Sequence, residues 1–162
     1  MNTHKIYIKK ILLIFLTFWI LPFLSILLIF ITKRICSIPI QHMNYSITVS
    51  FYDILLRNIS IYFIIITLGF LNKFFPYIIY YYNSIMFTGI SIMFMDNFGI
   101  KSYLCRVLPH GIIEILGFSI AVYIGINIKH NKNKKIFFLL CGGALLIFCA
   151  ALIEIALIHD FS

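Results

Sequence analysis

The chain has 162 residues, of which 62% are hydrophobic and 11% are charged, and its mean hydropathy is +1.05. Soluble domains carry about a quarter of charged residues, so this composition excludes an ordinary soluble fold. The excess of 13 basic over 5 acidic residues does not indicate a nucleic-acid partner, because the basic residues flank apolar runs. Such flanks anchor and orient membrane helices. We therefore expect an integral membrane protein that is surrounded by the lipid bilayer and binds no nucleic acid.

The first uncharged run, residues 11–32, is long enough to cross a bilayer as a helix. Pro22 near its middle predicts a kink, which neighbouring helices can tolerate. The run is too long for the apolar part of a signal peptide and no small-residue cleavage site follows it, so we expect it to be retained. Residues 46–58 come next and place their apolar side chains on one helical face, which predicts a helix lying in the membrane interface.

Residues 58–95 contain one charge, Lys73. As a single helix this stretch would be roughly 57 Å long, which is far more than the hydrocarbon core. Pro76 starts a helix more easily than it continues one, so we predict a hairpin of spans 58–73 and 76–95. The first of these two spans is short, so a re-entrant or tilted segment is the alternative to a full crossing.

Two further spans, 108–128 and 136–158, are joined by a loop that carries four lysines. The predicted fold is all-α: a polytopic membrane helix bundle with about five transmembrane helices and an interfacial helix, in a single domain over 1–162. Eight of the 13 basic residues fall on the side of the N-terminus in this arrangement. The positive-inside rule then predicts a multi-pass protein of the cell membrane with its N-terminus inside and its C-terminus outside.

Two of the five acidic residues lie inside apolar spans, where a carboxylate is expensive. On the fourth span, one helical stripe carries two polar residues followed by small ones: His110, Glu114, Gly117, Ala121 and Gly125. On the fifth span, a stripe carries Gly143, Ala150 and Glu154. Small residues let membrane helices approach closely, so we expect these stripes to pack against each other.

A short loop makes the two last spans antiparallel, so residues at the same depth have numbers that add to a nearly constant value. This rule pairs Gly125 with Gly143, Gly117 with Ala150, and Glu114 with Glu154. We predict that the two glutamates form one shared polar site near the outer end of the bundle, with His110 one turn above Glu114. At neutral pH at least one carboxyl group should be protonated or paired with a cation.

Residues around this site fit the same prediction. Pro109 is favoured at a helix start, and Gly111 lets a neighbouring backbone approach. Asn58, Arg57 and Arg106 are available as partners. Three roles stay open: a structural polar clamp, a site that handles protons or cations, and a docking site for a partner or ligand.

No catalytic or cofactor motif accompanies these residues. The chain has no HExxH zinc motif, no GxSxG nucleophile elbow and no phosphate-binding glycine loop. Its four cysteines form no CxxC pair, so we expect neither a metal site nor a disulfide framework. We predict a protein that is not an enzyme and that carries no cofactor.

Several motifs occur in a fixed order along 51–158. They are "F..IL.RN" at 51–58, Gly69, Asn83 with Gly89, "LPHGIIE" at 108–114 and "AALIE" at 150–154. In this order the chain resembles the stage II sporulation protein M family of bacterial and archaeal membrane proteins. The family pattern falls on Asn58, Pro109, His110, Gly111, Glu114 and Glu154. The chain departs from it where the family usually has Asn-Gly, since Asn83 is followed by Ser84.

The resemblance implies a function. In sporulation the family member looks like a non-enzymatic membrane scaffold that recruits cell-wall hydrolases. Other members, often short, are encoded beside ABC-type ATPases or in circular-bacteriocin clusters. The expected function is therefore a scaffold that positions partner proteins. The alternative is a membrane component of an ABC-type export or immunity system for a peptide such as a circular bacteriocin. A homo-oligomer is left open.

Overall fold

The computed structural model describes residues 2–35, 50–129 and 134–159, with side chains placed over 7–28, 50–129 and 136–157. Within these ranges the chain is helical, and five helices are long and apolar enough to cross a membrane. This confirms the predicted all-α membrane bundle. The helices are α1 Asn2–Phe18, α2 Ile20–Ile35, α3 Phe51–Leu68, α4 Phe75–Arg106, α5 Leu108–Asn127 and α6 Lys134–His159.

Helices α1 and α2 together make the first span, Tyr7–Leu28. The break predicted at Pro22 lies one turn earlier, at Trp19. A proline has no N–H, so Pro22 cannot bond to the carbonyl of Phe18 four residues before it. The Oγ of Ser84 on α4 donates to that carbonyl at 2.8 Å. The kink is therefore stabilised by a hydroxyl group from a neighbouring helix.

The second span is α3, and it begins at Phe51, earlier than the predicted 58. Ser50 caps it by accepting a hydrogen bond from the backbone N–H of Tyr52. The described part of the predicted interfacial helix is thus the start of this span, whereas residues 46–49 lie outside the described residues. Its 18 residues make about 27 Å of helix, which is close to the hydrocarbon thickness, so α3 is long enough for a full crossing.

The third span, α4, has Pro76 in its first turn, as the sequence predicts. It continues past the predicted end at 95 and changes direction at Gly99, whose φ of 80° and ψ of 163° interrupt the helix. A positive φ of this kind is accessible to glycine and strained for other residues. A short helical segment, 100–106, follows the break and leads into α5.

Helix α5 lies at the centre of the described bundle, and most residues of its second half are buried. Tyrosine hydroxyl groups tie the other helices around it. The Oη of Tyr62 on α3 donates to the carbonyl of Leu140 on α6 at 2.9 Å. The Oη of Tyr80 on α4 lies 2.8 Å from the Oγ of Ser119 on α5. Hydrogen bonds between membrane helices supplement the packing that holds a bundle together in lipid.

Candidate functional site

A cavity of about 300 Å³ lies at the end of the bundle where α5 begins and α6 ends. All three residues of the predicted polar site line it: His110, Glu114 and Glu154. The supporting residues Asn58 and Gly111 line it as well, whereas Pro109 does not and lies in the first turn of α5. The structure therefore brings five of the six predicted residues to one cavity. The role of these residues stays a prediction.

Gly117 of α5 packs against α6. A Cβ built on Gly117 would lie 2.8 Å from Cδ1 of Ile147 and 3.2 Å from the carbonyl oxygen of Gly143. Glu114 and Glu154 line one cavity, and their pairing at the same depth stays a prediction.

Two of the other small residues also lie against neighbouring helices. A Cβ on Gly125 would lie 2.9 Å from the carbonyl oxygen of Ile65 on α3 and 3.0 Å from Cγ of Pro76 on α4. Gly143 lies against the ring of Tyr62 on α3. Ala121 and Ala150 are buried at 0% and 1% exposure. Gly125 and Gly143 thus let α3 and α4 approach α5 or α6, because the fold is a bundle and not an isolated hairpin.

The cavity holds groups of both charge signs. Glu154 and the guanidinium of Arg57 both lie close enough to His110 and to Glu114 to interact with them electrostatically. The Nε of Arg57 donates to Oδ1 of Asn58 at 3.3 Å, which fixes the orientation of the amide group. The carboxylates come from α5 and α6, and the guanidinium comes from α3.

One polar atom of a residue that lines the cavity is buried without a hydrogen-bond partner in the described part of the chain, namely Nδ2 of Asn58. The imidazole of His110, by contrast, is held by the backbone of Arg106. Asn58 is 1% exposed, so its amide is shielded from the solvent. A buried N–H group without a partner costs about 1–3 kcal/mol. Such an arrangement is typical of a site that binds a ligand or ordered water.

An aromatic and aliphatic wall faces the polar side of the cavity. A Cβ on Gly111 would lie 2.9 Å from Cε2 of Phe87, so the glycine makes room for this ring. The ring of Phe87 packs edge to face against Phe18, with centroids 5.9 Å apart, and against Trp19 at 5.7 Å. One wall of the cavity is therefore apolar and aromatic.

The cavity opens on the flank of the bundle. Three lining residues of α4 are largely exposed, namely Tyr82 at 59%, Met86 at 49% and Ile90 at 54%. Arg57 on α3 is exposed as well. Since the exposed lining residues come from these two helices, the mouth of the cavity lies between α3 and α4.

Sequence reasoning missed the α4 side of the cavity. Tyr82, Met86 and Ile90 are spaced four residues apart, and this spacing places them on one face of α4. Helices that face lipid carry apolar residues on every side, so this stripe does not by itself indicate a cavity. Asn83, which follows Tyr82, was the only polar residue in the sequence that indicated this face of α4. Asn83 lines the cavity while its Nδ2 donates to the carbonyl of Ile79 at 2.9 Å.

Among the described residues, no group of three or more His, Cys, Asp or Glu side chains could hold a metal ion. Cys105, Cys141 and Cys149 are free thiols. The cavity can therefore bind through charges and hydrogen bonds from Arg57, Asn58, His110 and the two glutamates.

Comparison with known proteins gives one family. A family model described as Stage II sporulation protein M matches residues 11–157, which is nearly the whole chain and includes the first span. No curated protein and no solved structure matches the chain.

Proposed function

Since the chain belongs to the stage II sporulation protein M family, we propose that it is a non-enzymatic scaffold of the cell membrane that positions partner proteins. The partners proposed are proteins of the cell-wall hydrolase type. Two observations support the proposal. One is the family membership, and the other is the exposed surface of the short helical segment 100–106, which follows Gly99.

The helix α4 is longer than a membrane is thick. Its residues up to 98 already make about 36 Å of helix, so the segment 100–106 lies at or beyond the membrane surface. Ile100 and Leu104 are exposed at 65% and 50%, and Lys101 beside them is exposed. The exposed pair Ile100 and Leu104, next to Lys101, is the surface on which the proposed partner docks.

The proposed orientation places this surface on the outside. The N-terminus, the turn at Lys73 and the loop 129–135 carry most of the basic residues and are assigned to the cytoplasm. Segment 100–106 is then external, on the side where a wall hydrolase acts. The lysine-rich loop is internal, on the side where an ABC-type ATPase would bind in the export or immunity alternative.

Photo-crosslinking from two positions tests the proposal. A photoreactive side chain at Leu104 should capture a cell-wall hydrolase in living cells. The matched control is Leu71, which is also an exposed leucine, at 69%, but lies in the turn at the opposite end of the bundle. Capture of an ATPase from Leu71, with no hydrolase captured from Leu104, would replace the scaffold proposal by the export alternative.

A further inference from the structure

We propose that the cavity binds the headgroup of a phospholipid that carries a primary ammonium group beside its phosphate. The ammonium group would lie between Glu114 and Glu154, and the phosphate would lie beside Arg57 and Asn58. This assignment does not rest on the scaffold role.

The two charge signs in the cavity match such a headgroup. The carboxylates of Glu114 and Glu154 both face the cavity, and two carboxylates in a membrane interior need a cation between them to stay ionised. The guanidinium of Arg57 lies on the α3 side and is a donor suited to phosphate oxygens. A zwitterionic headgroup supplies one counter-charge to each side.

The amide of Asn58 is a separate observation that points to a ligand with acceptor atoms. Asn58 lines the cavity and is 1% exposed, and its Nδ2 is buried without a partner in the described ranges. Its Oδ1 is already occupied by Arg57. A lysine side chain from a partner helix would neutralise the glutamates but would leave this N–H unpaired, whereas a phosphate oxygen would accept from it.

The mouth and the depth of the cavity fit delivery from the bilayer. Glu154 lies about 5 Å before the end of the span Ile136–Leu157, and Glu114 lies about 9 Å inside the start of α5. A headgroup from the adjacent leaflet can reach this depth through the opening between α3 and α4. Met86 and Ile90 at the mouth are exposed and apolar, so they can contact the acyl chains.

The size of the cavity favours a lipid headgroup over a single ion as the ligand. About 300 Å³ corresponds to roughly ten water molecules at their share of liquid volume. A single sodium ion or proton site would leave most of that space unfilled, whereas an amine joined to a phosphate by two carbons occupies much of it.

Native mass spectrometry of the delipidated full chain in detergent tests the proposal. The protein is titrated with phosphatidylethanolamine, phosphatidylcholine and phosphatidylglycerol of identical acyl chains. Phosphatidylcholine has no N–H on its nitrogen, and phosphatidylglycerol has no ammonium group. We expect phosphatidylethanolamine to bind about tenfold more tightly than either, since a hydrogen bond to a charged group is involved. Equal binding of the three lipids would overturn the proposal.

Substitutions test whether the lipid headgroup binds in the cavity. Glu114→Gln should bring phosphatidylethanolamine binding down about tenfold, to the level of phosphatidylcholine. Asp53→Asn removes the same charge from an exposed position outside the cavity and should change nothing. Equal effects of the two substitutions would mean that general surface charge, and not the cavity, sets the preference.

A variant at the mouth covers the case in which Glu114→Gln fails to fold. Met86→Trp changes an exposed side chain, so the fold should persist while the larger ring obstructs entry. We expect it to lose the preference for phosphatidylethanolamine. If Met86→Trp retains the preference, or if soluble glycerophosphoethanolamine binds as tightly as the lipid, the ligand does not enter from the bilayer and the proposal is wrong. The crosslinking experiment at Leu104 tests the scaffold proposal, and its result does not depend on either of these lipid-binding measurements.

Discussion

Gly142 and Gly143 are neighbours in α6, yet an alanine should have opposite effects at the two positions. A Cβ at Gly142 would meet no atom within 4 Å, whereas a Cβ at Gly143 would lie 2.5 Å from Oη of Tyr62. Tyr62 is 0% exposed, and its hydroxyl donates to the carbonyl of Leu140 at 2.9 Å. The ring therefore cannot move aside without breaking a hydrogen bond between α3 and α6.

The free energies follow from these contacts. Alanine is favoured over glycine in a helix by about 1 kcal/mol, so Gly142→Ala should stabilise the protein by up to about that amount. Gly143→Ala gains the same term but adds an overpacking cost of about 1–3 kcal/mol, and a lost hydrogen bond adds about 1 kcal/mol. The net result is a loss of about 1–3 kcal/mol at Gly143.

Thermal unfolding in detergent, followed by size-exclusion chromatography with fluorescence detection, measures both variants. Gly142→Ala should raise the midpoint temperature and Gly143→Ala should lower it. Tyr62→Phe removes the clashing oxygen, so it should destabilise the Gly143→Ala chain less than it destabilises the wild type. Shifts of the same sign for the two alanine variants would refute the packing of Tyr62 on Gly143.

Three other predictions concern orientation, the glutamates and the kink. Single cysteines placed in 129–135 should be protected from an impermeant thiol reagent in intact cells, because this loop is assigned to the cytoplasm; labelling from outside would invert the topology. Glu114→Gln and Glu154→Gln should have non-additive effects on thermal stability, since both carboxylates face one cavity; strictly additive losses would mean two independent residues. Ser84→Ala should destabilise the protein by about 1–3 kcal/mol, because it leaves the carbonyl of Phe18 unpaired; an unchanged midpoint temperature would show that this carbonyl finds another donor.

Much of the fold could be predicted because uncharged runs of membrane length are read directly from the sequence. The first residue of α3 could not be predicted in this way. The face that contains Ile54 and Asn58 has the same periodicity whether it lies on the membrane surface or against other helices, and the structure buries both residues at 1% exposure. Periodicity reports that a helix has two faces, but it does not report what covers them.

The glutamates of the candidate site could be found from the sequence, whereas the helices that surround them could not. A carboxylate in an apolar span is conspicuous, so Glu114 and Glu154 could be found without a structure. Their relative depth was derived from two helices alone, whereas Tyr62 of a third helix lies against Gly143 and helps to set the packing. The contribution of Arg57 and of the α4 wall likewise depends on helices that are distant in sequence.

The hydrogen bond from Ser84 to the carbonyl of Phe18 has a consequence for how the protein is made. The donor lies 66 residues after the acceptor, so the first span enters the membrane long before α4 has been synthesised. During that interval the carbonyl released by Pro22 has no partner from α4, and a polar backbone group in lipid costs several kcal/mol. The first span should therefore be retained less well in chains that end before residue 84 than in chains that end after α4, and its stable insertion would be completed only when the third span arrives.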